Sequence, residues 1–192
     1  MYAGHVGVAL AARRARTRVP LLLLVLTAQA PDWIAVSVGA LGARDPGELW
    51  SHSLAAVGAG IVVVCGAYFW RRRDAAGALL LCGVYLSHPL LDLVTGRKPL
   101  WPGGTPAGAC LYRAPLADFV IEALVLVIGW QVYRRSLPPA SSRRARLAPT
   151  FMLVGLLACQ GLADVAQSIR LSHYPRTRQA CIEYTGVEGS GR

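Results

Sequence analysis

Charge is scarce in this sequence. Only 16% of its 192 residues are charged, where an ordinary soluble domain carries roughly a quarter. Lysine is nearly missing: Lys98 is the single one among twenty cationic residues. The five cysteines show no CxxC or zinc-ribbon spacing, which excludes the thiolate metal sites and dithiol motifs that such spacing builds. No stretch repeats at a fixed period and none is of low complexity, so solenoids and arrays are excluded. The arginines have no aromatic residues interleaved with them. A net charge of +10 therefore does not read as a nucleic-acid surface, and no nucleic acid partner is expected.

What is present is long apolar sequence. The chain is 54% hydrophobic, with a mean hydropathy of +0.43. A helix of about twenty apolar residues crosses a bilayer. Five runs qualify: 19–43, interrupted by "PDW", then 53–70, 75–95, 116–133 and 147–169. An earlier piece, "MYAGHVGVALAA", is too short to span and reads as a half-depth or interfacial helix. The expected fold is all-α, a polytopic membrane helix bundle of about five transmembrane helices plus the short N-terminal one. Residues 1–170 are expected to form the membrane-embedded domain, and 171–192 a polar, partly disordered tail.

The arginines are bunched between these runs, in "RRARTR" (13–18), "RRRD" (71–74) and "RRSLPPASSRRAR" (134–146). In a five-span chain all three clusters fall on one side, as the positive-inside rule requires. That places the N-terminus in the cytoplasm and the bilayer around the domain. The stretch "RRARTRVPLLLLVLTAQA" also has the layout of a secretory signal, but Pro31 directly after Ala30 disfavours cleavage. Cys65, Cys82 and Cys159 lie inside apolar runs and read as buried small hydrophobes. Cys110 and Cys181 lie outside them, where a disulfide between the two or a pair of free thiols is expected.

Against this apolar background the ionisable residues stand out: His5, Asp32, His52, His88, Asp92, Asp118, Glu122 and Asp164. Such groups are costly within a membrane and point to function. Counted at about 1.5 Å per residue from the nearest arginine cluster, most fall between mid-depth and the far half of the layer. Shared depth suggests one polar cavity. Within "LSHPLLDLVTG", His88 and Asp92 are spaced i, i+4 and project from one helix face. Imidazole nitrogen and carboxylate oxygen both ligate zinc, and a divalent cation offsets the burial of carboxylates. Each residue also has a plainer reading. His52 would sit beside a helix start capped by Ser51 or Ser53, Asp32 would cap the second half of a broken helix, and Glu122 and Asp164 would be packing groups.

The ordered set "GHVGVALAARRA", "PDW", "WSHSL" and "LSHPLLDLVTG", followed by "PLWPGG", resembles the YdjM-like bacterial inner-membrane family of metal-dependent hydrolases. That family is itself distantly similar to zinc-dependent phospholipase C and the S1/P1 nucleases. The resemblance covers residues 1–105 and extends more loosely to Arg135. It implies a bacterial inner-membrane location and a divalent metal, zinc above all, held by His5, Asp32, His52, His88 and Asp92, with Asp92 able to bridge two ions. Members often read "PDLD" where this chain has "PDWI", and "HRGxxHS" where it has "GELWSHS". One or two metals are therefore expected rather than three. The implied activity is hydrolysis of a phosphoester or lipid-type substrate near the outer face. Asp32 or Glu122 is expected to act as the catalytic base, and Arg97, Lys98 and Arg113 to hold an anionic head group. The alternatives are a small ion or solute transporter, which would use the same mid-depth polar groups, and a non-catalytic membrane protein with a degenerate site.

Overall fold

The computed structural model of the chain describes residues 3–15, 18–42, 49–138 and 143–173. Among them are eight α-helices and no strand: α1 Ala3–Ala15, α2 Leu21–Ala28, α3 Ala30–Ala40, α4 Leu49–His52, α5 Leu54–Arg72, α6 Ala75–Thr95, α7 Pro115–Arg135 and α8 Arg143–His173. The chain is an all-α helical bundle with the features of a membrane protein. Segments Leu54–Arg72, Ala75–Thr95, Pro115–Arg135 and Leu147–Ile169 are each long and apolar enough to cross a bilayer. The pair α2 and α3 passes the same test as one span bent by 59°. Large apolar side chains such as Val62, Leu79, Leu116, Ile128 and Phe151 point outward. That pattern is ruinous in water and ordinary in lipid.

Helix ends follow local chemistry. Ser53 caps α5 by accepting the amide of Ala56 at 3.2 Å, and Asp74 caps α6 by accepting that of Gly77 at 3.1 Å. Arg73, in the left-handed region at φ 52°, ends α5 and makes the turn to α6 tight. Proline stands in the first turn of α3 and of α7, where its missing N–H costs nothing. The α2–α3 break falls at Gln29, ahead of "PDW". Asp32 therefore sits in the first turn of α3, and the cap position is held by Gln29 without a side-chain bond. Helix α8 starts at Arg143, within the 134–146 arginine cluster. Helix α8 continues to His173, and residues 174–192, the rest of the expected 171–192 tail, lie outside the described residues.

The short helix α1 lies inside the bundle rather than on its surface. One side, through Ala9, joins a core made by Leu24 and Ala28 of α2, Cys65 of α5 and Ala78, Leu81 and Val84 of α6. The other side, through Ala3, Val6 and Leu10, joins Leu126 of α7 and Leu153 of α8. Helices α1 and α7 cross in near-backbone contact. A Cβ on Gly7 would overlap the backbone of Val125 and Leu126, and one on Gly129 would overlap the Gly7 carbonyl. Small residues at such crossings are how membrane helices approach closely. The pairings Gly4 with Glu122 and Gly7 with Leu126 make the two helices run parallel. Arg13 and Arg14 therefore end at the same side of the bundle as Arg134 and Arg135. Helix α6 runs against α1, which brings Arg71, Arg72 and Arg73 to that side too.

Candidate metal centre

At the far half of the bundle from the arginines, two broken or short elements feed polar side chains toward α6. The bend after Ala28 presents Asp32. The four-residue helix α4 presents His52. Helix α6 presents His88 and Asp92 from one face. One donor atom from each of these four residues lies within 4.8 Å of all the others. His52 Nε2 is 3.0 Å from Asp92 Oδ2 and 3.1 Å from His88 Nε2. His88 Nε2 is 3.5 Å from the same Asp92 oxygen. Asp32 Oδ1 lies 3.7 Å from His52 Nε2 and 3.6 Å from His88 Nε2. Tetrahedral ligands at about 2.0–2.1 Å from an ion are separated by roughly 3.3–3.4 Å. The five distances bracket that value.

The surroundings settle what His88 offers. Its Nδ1 is 2.7 Å from the carbonyl of Ala28, an oxygen exposed because α2 ends there. A carbonyl only accepts, so Nδ1 carries the proton, and Nε2 is the nitrogen that the neutral ring would present to an ion. His52 Nδ1 is 2.7 Å from Ser51 Oγ, a hydroxyl that accepts when Nδ1 carries the proton and donates when it does not. Outer hydrogen bonds of this kind orient metal-ligating imidazoles. Two imidazole nitrogens and two carboxylate oxygens thus converge on one point. The donor set suits zinc-class ions, and two carboxylates balance a divalent charge.

His5 reaches the cluster from behind. Its Nε2 is 3.3 Å from Asp92 Oδ1, the other oxygen from the one measured against His52 and His88, and its ring stacks on His88 with centroids 3.8 Å apart. Because a carboxylate only accepts, Nε2–H donates here. Within this arrangement His5 orients Asp92 and His88, and the four-donor group does not include it. His5, His52, His88 and Asp92 are all buried, whereas the Asp32 side chain is 24% exposed. Access to the group therefore runs past Asp32. The second Asp32 oxygen, Oδ2, has no hydrogen-bond partner among the described residues.

The other residues singled out from the sequence sit elsewhere. Glu122 Oε2 accepts the backbone amides of Ala3 at 2.9 Å and Gly4 at 3.3 Å, so its carboxylate meets the amino end of α1. Asp118 is buried one turn earlier on α7. Asp164 accepts from Gln160 within α8. Arg97 donates to the Gly108 carbonyl at 3.4 Å, and Arg113 is exposed on a short 3-10 turn, Leu111–Arg113. Lys98 does reach the cluster, with Nζ 3.6 Å from Asp92 Oδ2. Cys110 is disulfide-bonded, and Cys65, Cys82 and Cys159 are free. Cys181, the partner expected from the sequence, lies outside the described residues.

Three contacts are absent from the sequence reading: the Ser51–His52 bond, the use of the Ala28 carbonyl, and the grip of Glu122 on α1. The first joins neighbours in sequence and carries a local signal. The other two join residues 60 and about 119 positions apart. Comparison with family models, with curated proteins and with solved structures gave no match.

Proposed function

We propose that this protein is a membrane-embedded metal-dependent hydrolase, acting on a phosphoester or lipid-type substrate near the face opposite the arginines. The observation that carries the reading is the convergence of His52 Nε2, His88 Nε2, Asp32 Oδ1 and Asp92 Oδ2 within 4.8 Å, with the His88 tautomer fixed by Ala28. Two carboxylate oxygens and two imidazole nitrogens facing one another would be satisfied by a bound cation. The resemblance of residues 1–105 to the YdjM-like family points the same way, and so does the expected bacterial inner-membrane location with a cytoplasmic N-terminus.

A bound divalent ion, zinc by the donor chemistry, would supply Lewis acidity and make water a nucleophile near neutral pH. The chain's own residues do the rest. His52, His88 and Asp92 hold the site from the buried side. His5 fixes the rotation of the Asp92 carboxylate. Asp32, the exposed member, has one oxygen in the cluster and one outside it. That second oxygen is buried and has no hydrogen-bond partner among the described residues, and it is the group that would take a proton from a bound water as general base. Glu122, engaged with α1, is the weaker choice for that step.

Elemental analysis of detergent-purified protein tests the reading. Wild type is expected to hold near-stoichiometric zinc or a related divalent metal after desalting, and His88→Ala to lose it while remaining folded and monodisperse. Metal-free wild type that takes up no added zinc overturns it.

A further inference from the structure

The only lysine in the chain is placed with care. Lys98 lies in the connection between α6 and α7, and its backbone is pinned on both sides. Its amide donates to the Ala107 carbonyl at 2.9 Å, and its carbonyl accepts from the Ala107 amide at 3.0 Å. The same connection is tied down by Ala109 N–H to the Leu93 carbonyl at 2.7 Å and by Leu54 N–H to the Leu100 carbonyl at 2.9 Å. Gly108, at φ 135°, lies where a Cβ would overlap the Gly96 carbonyl, so the close fold of this segment needs glycine there. The result is a stiff loop that carries one ammonium to the edge of the metal centre.

That ammonium lies 3.6 Å from Asp92 Oδ2. The same oxygen faces His52 and His88 at 3.0 and 3.5 Å. It is therefore claimed by two cations, the lysine and any bound ion. An ion held through that oxygen at about 2.0–2.2 Å would lie within about 6 Å of Nζ. Without the ion, Lys98 offsets one of the two carboxylate charges. With it, the carboxylates are already balanced and the lysine is a surplus positive charge beside the ion.

We propose that Lys98 is a tethered counter-ion. It pairs with Asp92 in the metal-free protein. When a divalent ion occupies the centre, it turns its ammonium to an anionic oxygen of the bound ligand. The ligand class this selects is a phosphate group, whether free or on a lipid. The proposal rests on the metal-centre reading above and assigns that site its ligand chemistry.

The two halves of the proposal predict opposite effects of one substitution. In full-length protein in detergent, Lys98→Met removes the competing cation and is expected to tighten zinc binding about three- to tenfold, measured by competition with a chromophoric chelator. The same variant, zinc-loaded, is expected to bind inorganic phosphate at least about tenfold more weakly by calorimetry, the scale of one charged hydrogen bond. Lys98→Arg keeps the charge and is expected to hold phosphate within about threefold of wild type. Lys98→Gln repeats the comparison if Lys98→Met does not fold. A short-chain phosphatidic acid in the same assay separates the two sources. Tighter binding of it than of phosphate, lost in Lys98→Met, assigns a lipid phosphate, and equal binding assigns the free anion. Zinc and phosphate affinities that fall together, or that both stay unchanged, overturn the lysine's role while leaving the metal centre standing. Wild type that binds no zinc overturns the metal centre itself.

Discussion

Two helices of this bundle carry a buried ionisable pair four residues apart. On α6 the pair is His88 and Asp92, and on α7 it is Asp118 and Glu122. All four side chains are at most 1% exposed. Spacing and burial are alike, yet the company differs. The α6 pair meets His52 from α4 and Asp32 from α3, so acceptors from three elements share one point. The α7 pair meets backbone: Glu122 takes two amides at the start of α1, while neither Asp118 oxygen has a hydrogen-bond partner among the described residues. An i, i+4 pair defines only a face. Breaks in neighbouring helices decide whether that face becomes a binding site or a clamp.

The sharpest way to break this comparison is to neutralise one carboxylate of each pair. Asp92→Asn is expected to weaken zinc binding by more than the roughly 10–100-fold that losing an outer partner costs, because Asp92 Oδ2 faces both imidazoles. Glu122→Gln is expected to change zinc affinity less than about threefold, well below that outer-partner scale. Chelator competition on both variants decides it. Equal losses would make Glu122 a ligand and erase the distinction between the helices.

Packing between α1 and α7 supports both regions, since it sets His5 behind Asp92 and Glu122 beneath Ala3. Gly129→Ala puts a methyl group against the Gly7 carbonyl. Overpacking of this kind costs about 1–3 kcal/mol. Gly58→Ala, where a Cβ meets open space, is the control and is expected to be nearly neutral. Thermal unfolding in detergent should separate the two. Similar melting temperatures would mean that α1 and α7 part easily and that the contact does not position His5.

Much of this was legible in the sequence, for identifiable reasons. Hydropathy over about twenty residues is a strong signal, so the spans at 53–70, 75–95 and 116–133 differ from α5, α6 and α7 by at most two residues at either end. The bend in the first span was readable from Pro31, although it falls at Gln29, because proline favours the first turn of the second half-helix. The convergence of His5, Asp32, His52, His88 and Asp92 was legible because ionisable groups are costly inside a membrane and seek partners there. Their division of labour was not. Whether His5 faces the centre or the back of Asp92 depends on how α1 packs on α6, and no local pattern encodes that. Glu122 read as a candidate base, beside Asp32, within the hydrolase resemblance. Its use as a clamp for α1 rests on a crossing that only Gly7 and Gly129 permit.

A smaller effect is expected one bond out from the cluster. Ser51 Oγ holds His52 Nδ1 at 2.7 Å. Ser51→Ala leaves the imidazole in place but frees its rotation and tautomer, so zinc affinity should fall about tenfold, the low end of outer-partner effects. Ser53→Ala, which removes only the cap of α5, serves as the neighbour. It is expected to cost about 1 kcal/mol of stability with zinc affinity unchanged. If the two variants behave alike, the Ser51 contact contributes packing rather than orientation.

The smallest effect tests the α7 side on its own terms. Glu122 accepts the amides of Ala3 and Gly4 where α1 has no preceding turn to satisfy them. A carboxylate there also meets the positive end of the helix dipole. In Glu122→Gln the amide oxygen still accepts a hydrogen bond, so what is lost is the charge. The expected cost is about 1 kcal/mol, within the range for a charge at a helix end. It should appear locally, as faster hydrogen exchange at the first amides of α1, before it appears in global melting. Zinc content should remain at the wild-type level throughout. Unchanged exchange at α1 together with lost zinc would reverse the assignment. Glu122 would then belong with His88 and Asp92, and the two buried pairs would be parts of one site.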